Sequence, residues 1–146
     1  MSILIRKAVP ADSMTLAQLA CCMWEHTPDE LEPEFAALTS SDEAACFLAI
    51  DGDTAIGFAQ CQLRHDYVEG CETSPVGFLE GIYVDAQYRL GGVGRTLLSA
   101  CEDWSKSVGC TEFASDCELD NSVSLAWHMK NGFVEMGRTI WFAKKL

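Results

Sequence analysis

The chain has 146 residues, 49% of them hydrophobic, and a formal net charge of −12. That length suits one domain with a real core, and no apolar run approaches the roughly 20 residues of a membrane helix. An acidic chain repels nucleic-acid phosphates and anionic membranes, so neither is expected as a partner. A cationic partner is favoured, although charge alone is equally compatible with a role in solubility.

Met1 to Arg6 shows no charged leader followed by a long apolar core, which points to a cytoplasmic protein. The eight cysteines fall largely within apolar or helical segments. No pair is spaced C-x-x-C and no Cys/His cluster has zinc-ligand spacing, so reduced, mostly buried thiols and no metal are expected.

Ile3 to Ala8 is a short β-like run. Pro10-Ala11-Asp12 opens a helix, with Asp12 or Ser13 as cap and Leu16, Leu19, Ala20 and Met23 at helical spacing. Leu31, Phe35 and Leu38 suggest a second helix. Ser40 and Glu43 have capping-box spacing ahead of the next segment. Ala45 to Ile50 and Thr54 to Arg64 read as a hairpin around Asp51-Gly52-Asp53. His65 to Pro75 is a polar loop and Val76 to Val84 a central strand. Gly92 to Val108 is a helix ended by Gly109. Thr111 to Ser115 is a strand, Asn121 to Lys130 a helix stopped by Asn131-Gly132, and Phe133 to Lys144 is expected to finish the sheet. The order predicts a single α/β domain over residues 1–146 with a mixed sheet.

Arg89-Leu90-Gly91-Gly92-Val93-Gly94 is the most informative segment. It follows a strong strand and opens a helix. Glycines there let successive backbone N–H groups approach an anion, and the helix N-terminus adds partial positive charge. The turn lacks the G-K-[ST] ending of a nucleotide P-loop and the spacing of a dinucleotide fingerprint. A tight strand–helix connection would need glycines as well.

R-x-x-G-x-G after such a strand resembles the coenzyme A-binding motif of the GNAT acetyltransferase superfamily. Asn121, opening a helix that ends in Asn131-Gly132-Phe133, resembles its second motif. The resemblance implies the GNAT fold: a mixed, mostly antiparallel twisted sheet, helices on both faces, and a splayed central strand for coenzyme A. It implies acetyl-CoA as the acetyl donor, held by Ile82, Tyr83, Val84, Arg89, Leu90, Gly91, Gly92, Val93, Gly94, Arg95 and Asn121.

A closer resemblance, running nearly end to end, is to the aminoglycoside 6′-N-acetyltransferases. It rests on Met23-Trp24 with His26 and Pro28, on Arg64-His65-Asp66-Tyr67-Val68 with Gly70-Cys71, on Ser74-Pro75-Val76 with Phe78-Leu79-Glu80-Gly81-Ile82, and on Ala114-Ser115-Asp116. It implies transfer to the 6′-amine of a cationic aminoglycoside, with Trp24, His26, Tyr67, Glu80, Asp116 and Glu135 on the acceptor side, and a homodimer. Tryptophan and tyrosine would pack on sugar rings. Glu80 lies inside an apolar strand, where a carboxylate is costly unless paired or hydrated; it would hold the ammonium and accept its proton. Asp116 ends a strand at the sheet edge where open α/β folds place ligands. Glu135 would equally well face solvent.

The implied mechanism is direct transfer, with backbone N–H groups around Ile82 to Val84 polarising the thioester carbonyl and Gly81 permitting a bulge that splays the strand. The chain departs from the superfamily where a tyrosine commonly precedes the final Gly-Phe by four residues and acts as general acid. His128 stands there, able to donate a proton or simply to cap and pack the helix. The cofactor motifs do not separate an aminoglycoside from a polyamine or peptide acceptor, nor catalysis from a non-catalytic coenzyme A-binding role.

Overall fold

The computed structural model describes residues 2–146. Five strands form one sheet in chain order: β1 (Ile3–Lys7), β2 (Ala44–Asp51), β3 (Thr54–Arg64), β4 (Val76–Val84) and β5 (Phe113–Ser115). The first four pair antiparallel, and β5 runs parallel to β4. Four helices complete the order: α1 (Ser13–Ala20), α2 (Pro28–Thr39), α3 (Val93–Ser107) and α4 (Ser122–Lys130).

Side chains of a strand alternate between faces, and both faces of this sheet are covered, so β2 is buried almost end to end. Cys46, Leu48 and Phe58 pack with Leu16, Leu19, Leu31 and Phe35 of α1 and α2. Ala45, Phe47 and Ile56 pack on the other face with Leu97, Leu98 and Cys101 of α3. The short connections follow the sequence: Gly52, Gly109 and Gly132 all have positive φ, as turns and helix ends require.

Local chemistry differs from expectation at both proposed caps. Asp12 does not cap α1. Its carboxylate instead accepts from the Arg6 guanidinium and from the Val9 N–H, because a charged partner one strand away outcompetes a helix amide. The helix cap falls at Thr27, whose hydroxyl accepts from Glu30 N–H in a capping box that starts α2. Ser40 and Glu43 start no helix: Ser41 Oγ accepts from Glu43 N–H in a turn that leads straight into β2.

The largest difference is at the C-terminus. Phe133 to Lys144 forms no strand. Ile140, Trp141 and Phe142 are 73%, 89% and 91% exposed. A β-prone segment becomes a strand only where a neighbour supplies the ladder, and the sheet of this chain does not supply one. The start of the segment stays on the body, with Met136 so close over Gly70 that an added Cβ would fall 2.2 Å from Met136 Cγ.

Candidate active site

The pairing of β4 sets the site. On one side its register with β3 shifts: Gln60 faces Gly81 and Cys61 faces Leu79, so Glu80 is the extra, unpaired residue of a β-bulge. Bulges bend a strand and re-aim a side chain. On the other side β4 pairs with β5 only through Gly77–Phe113, Phe78–Ala114 and Leu79–Ser115. From Glu80 to Val84 that edge of β4 has no strand beside it. This is the splay expected at Gly81, and its cause is a residue earlier in the chain. Gly81 is required for another reason: a Cβ there would lie 2.7 Å from the Trp24 ring and 2.9 Å from the Met23 methyl.

The Glu80 side chain is 20% exposed and forms a two-point ion pair with Arg64, Nη2 to Oε1 at 2.8 Å and Nε to Oε2 at 3.1 Å. Arg64 also lies flat over the Phe78 ring, 3.5 Å from its centroid. The guanidinium thus engages both oxygens of the Glu80 carboxylate. Arg64 was not among the expected site residues. Its pairing with Glu80 depends on the register of two strands, which no local spacing reveals.

Trp24 and His26 line a surface depression of about 490 Å³ formed by residues 21–27 and Glu30. Trp24 makes an edge contact with Phe58 and reaches Gly81, so the depression adjoins the bulge. His26 Nδ1 lies 3.2 Å from Glu30 Oε2, which adds a carboxylate to this wall; Glu30 is held below the usual carboxylate range by His26 and Thr27. Tyr67 is 76% exposed, its hydroxyl donating to Glu69. Asp116 is exposed just after β5. Glu135 pairs with Arg138 at 2.9 Å on the exposed C-terminal segment. Trp24 and His26 thus share one depression that adjoins the bulge at Glu80, whereas Tyr67 and Glu135 bond to groups outside it.

On the cofactor side, Leu90 and Gly92 both take left-handed backbone, φ 67° and 85°, turning the chain into α3. No side chain caps α3 and its first turn holds no acid, which leaves the first-turn N–H groups for an anion. A Cβ on Gly92 would meet nothing within 4 Å; the space above the turn is open. Arg89 Nε donates to Val84 O at 2.7 Å, tying the turn to the end of β4. Tyr83 is pushed up to about 12, first by burial and then by Cys22 and Asp85, so it stays protonated. Asn121 caps α4 by accepting from Ser124 N–H at 3.0 Å. Trp127 of α4 lies against Gly94, 3.4 Å from where its Cβ would be. An uncapped helix N-terminus with glycines before it, beside an unpaired strand edge, fits a pyrophosphate and its pantetheine arm.

His128 is half-buried between the Trp127 and Phe133 rings. Its Nδ1 is 2.7 Å from Ser124 O and its Nε2 is 2.8 Å from Ser115 Oγ.

Residues 12–133 match the acetyltransferase (GNAT) family. An aminoglycoside N(6')-acetyltransferase type 1 of Stenotrophomonas maltophilia is 46% identical over 144 residues, covering 97% of this chain and 93% of that protein. A protein of the same name from Acinetobacter haemolyticus is 39% identical, covering 97% and 98%. The structure of AAC(6')-Iy in complex with the bisubstrate analogue CoA-S-monomethyl-acetylneamine superposes with a TM-score of 0.93 at 35% identity, covering all of both chains. The fold and the site thus define a GNAT acyltransferase that uses acetyl-CoA. Within that class the chain belongs to the family of type 1 aminoglycoside N(6')-acetyltransferases.

Proposed function

We propose that the chain transfers the acetyl group of acetyl-CoA directly to the 6′-amine of aminoglycoside antibiotics, and so confers resistance to them. The observation that carries this reading is the bulge at Glu80. It places a half-buried carboxylate one residue before Gly81, the position that meets the Trp24 ring, at the start of the unpaired edge of β4. The names of the relatives at 37–46% identity support the same acceptor.

An aliphatic amine is largely protonated at neutral pH, and an ammonium has no lone pair with which to attack. Glu80 binds the cation in place of Arg64 and accepts its proton, directly or through water. Backbone N–H groups on the free edge of Ile82 to Val84 polarise the carbonyl. The turn from Arg89 to Arg95 and the cap at Asn121 hold the cofactor, which supplies an acetyl thioester when bound. Trp24, His26 and Asp116 line the acceptor side, with Tyr67 and Glu135 as outer contacts. The net charge of −12 favours a polycation over neutral amines. The experiment is a thiol-release assay with a panel of aminoglycosides, polyamines and peptide amines. Turnover confined to aminoglycosides bearing a 6′-amine is expected; preferential turnover of a polyamine or peptide would overturn the assignment.

We also propose a homodimer acting in the cytoplasm. The exposed run Ile140-Trp141-Phe142 supports the dimer, since apolar surface of that kind is normally covered by a partner. The free thiols support a reducing compartment. Light scattering at micromolar concentration tests the dimer, and a monomeric mass would refute it.

A further inference from the structure

The contacts of His128 determine which of its nitrogens is available. Nδ1 lies 2.7 Å from Ser124 O, which only accepts, and 3.3 Å from the Ser124 hydroxyl, which can accept too; the shorter contact with the carbonyl requires a hydrogen on Nδ1 whatever the charge of the ring. Proton exchange is therefore confined to Nε2, and Nε2 faces Ser115 Oγ at 2.8 Å. Ser115 in turn lies 3.3 Å from Leu79 O. Its single hydroxyl hydrogen cannot serve both partners. With neutral His128 the hydroxyl donates to Nε2; with the imidazolium, Nε2–H donates to Oγ and the hydroxyl hydrogen is turned toward β4. Ser115 and Leu79 are the last pair of the parallel ladder, so this switch sits at the apex of the gap where the strands part.

We propose that Ser115 is the proton donor to the departing thiolate and that His128 is the positioning residue that recharges it. The proposal rests on the acetyl-transfer reading above. As the amine N–C bond forms and the C–S bond breaks, sulfur takes the Ser115 hydroxyl proton. Ser115 takes the Nε2 proton of the imidazolium. His128 is left neutral, with Nδ1–H still on Ser124, and is reprotonated from solvent. The ammonium loses two protons, one of which balances that taken by sulfur and the other is released. The side chains packed on the ring, Ser115, Ser124, Trp127 and Phe133, carry no charge. The flanking charges are Asp116, next to Ser115, and Lys130 on α4. A histidine in place of the customary tyrosine thus reaches the sulfur through a serine.

The test compares wild type with Ser115→Ala, Ser115→Cys, His128→Phe and the Ser115→Ala/His128→Phe double variant, each checked for folding by thermal unfolding and for acetyl-CoA affinity by calorimetry. A drop in kcat of about tenfold is expected for either single alanine or phenylalanine change, with KM for both substrates held. The double variant should lose no more than the worse single one. The alkaline limb of the kcat profile should vanish and the solvent isotope effect should shrink in both single variants, and Ser115→Cys should restore part of kcat because a thiol also donates. Unchanged kcat in Ser115→Ala, or lowered kcat with an intact pH profile and isotope effect, would overturn the relay. So would an acetyl group found on Ser115 by single-turnover mass spectrometry, which would make it a nucleophile. If wild type turns over another amine instead of aminoglycosides, the acceptor assignment fails, and the same variants still decide the relay with that amine.

Discussion

Glu80 is the residue on which the proposed acceptor chemistry depends, and its surroundings explain how a carboxylate survives inside an apolar strand. A charge taken out of water needs a partner, and Arg64 provides one at two points while lying over Phe78. Glu80→Gln retains the shape but loses both charge and basicity. Its kcat/KM should fall by about a hundredfold or more, in the range of general-base loss, with acetyl-CoA affinity by calorimetry unchanged. A variant within threefold of wild type would remove Glu80 from the proton path.

Two elements hold the site open, and each has its own test. The turn into α3 depends on left-handed backbone at Gly92 and on the close approach of Trp127 to Gly94. A β-branched residue at Gly92 is strained there whatever the space, and at Gly94 it meets the Trp127 ring. Gly92→Val and Gly94→Val should each weaken acetyl-CoA binding by at least about tenfold, with the domain still folded; calorimetry on the folded variants checks this.

The loop ahead of β4 is held differently. Glu112 accepts from Glu72 N–H at 3.0 Å, from Thr73 N–H at 2.8 Å and from the Thr73 hydroxyl. These bonds, that to the Thr73 side chain foremost, hold its carboxyl below the usual 4.5. A depressed carboxyl stabilises the fold above the unfolded pKa and loses that contribution as pH falls through the folded one. The difference in melting temperature between wild type and Glu112→Gln should therefore be present at neutral pH and shrink below pH ~4.5. A difference constant with pH would mean that Glu112 acts by shape alone.

At the scale of the molecule, the net charge bears directly on the proposed cationic acceptor. Twenty-two acidic residues against ten basic ones produce a field that concentrates polycations and is screened by salt. Raising ionic strength should increase KM for a polycationic acceptor much more than KM for acetyl-CoA, whose phosphates rest on local backbone groups. Equal salt sensitivity of the two would place the acceptor outside an electrostatic cleft.

Much of this protein was legible in its residues alone. Strand and helix order as far as α4, the hairpin at Gly52 and the left-handed turn at Gly92 follow from local rules: alternation, helical spacing, and the few residue types that tolerate left-handed backbone. Only the tertiary structure decided the rest, because each part of it depends on which strand lies beside which. The Arg64–Glu80 pair and the bulge at Glu80 come from the β3–β4 register. The end of the β4–β5 ladder at Ser115 places a hydroxyl against His128, and Tyr67 and Glu135 bond elsewhere than at the bulge. The C-terminal residues from Phe133 to Lys144 have the apolar content of a strand but no strand of the sheet beside them, and a β-strand exists only where another backbone completes its hydrogen bonds.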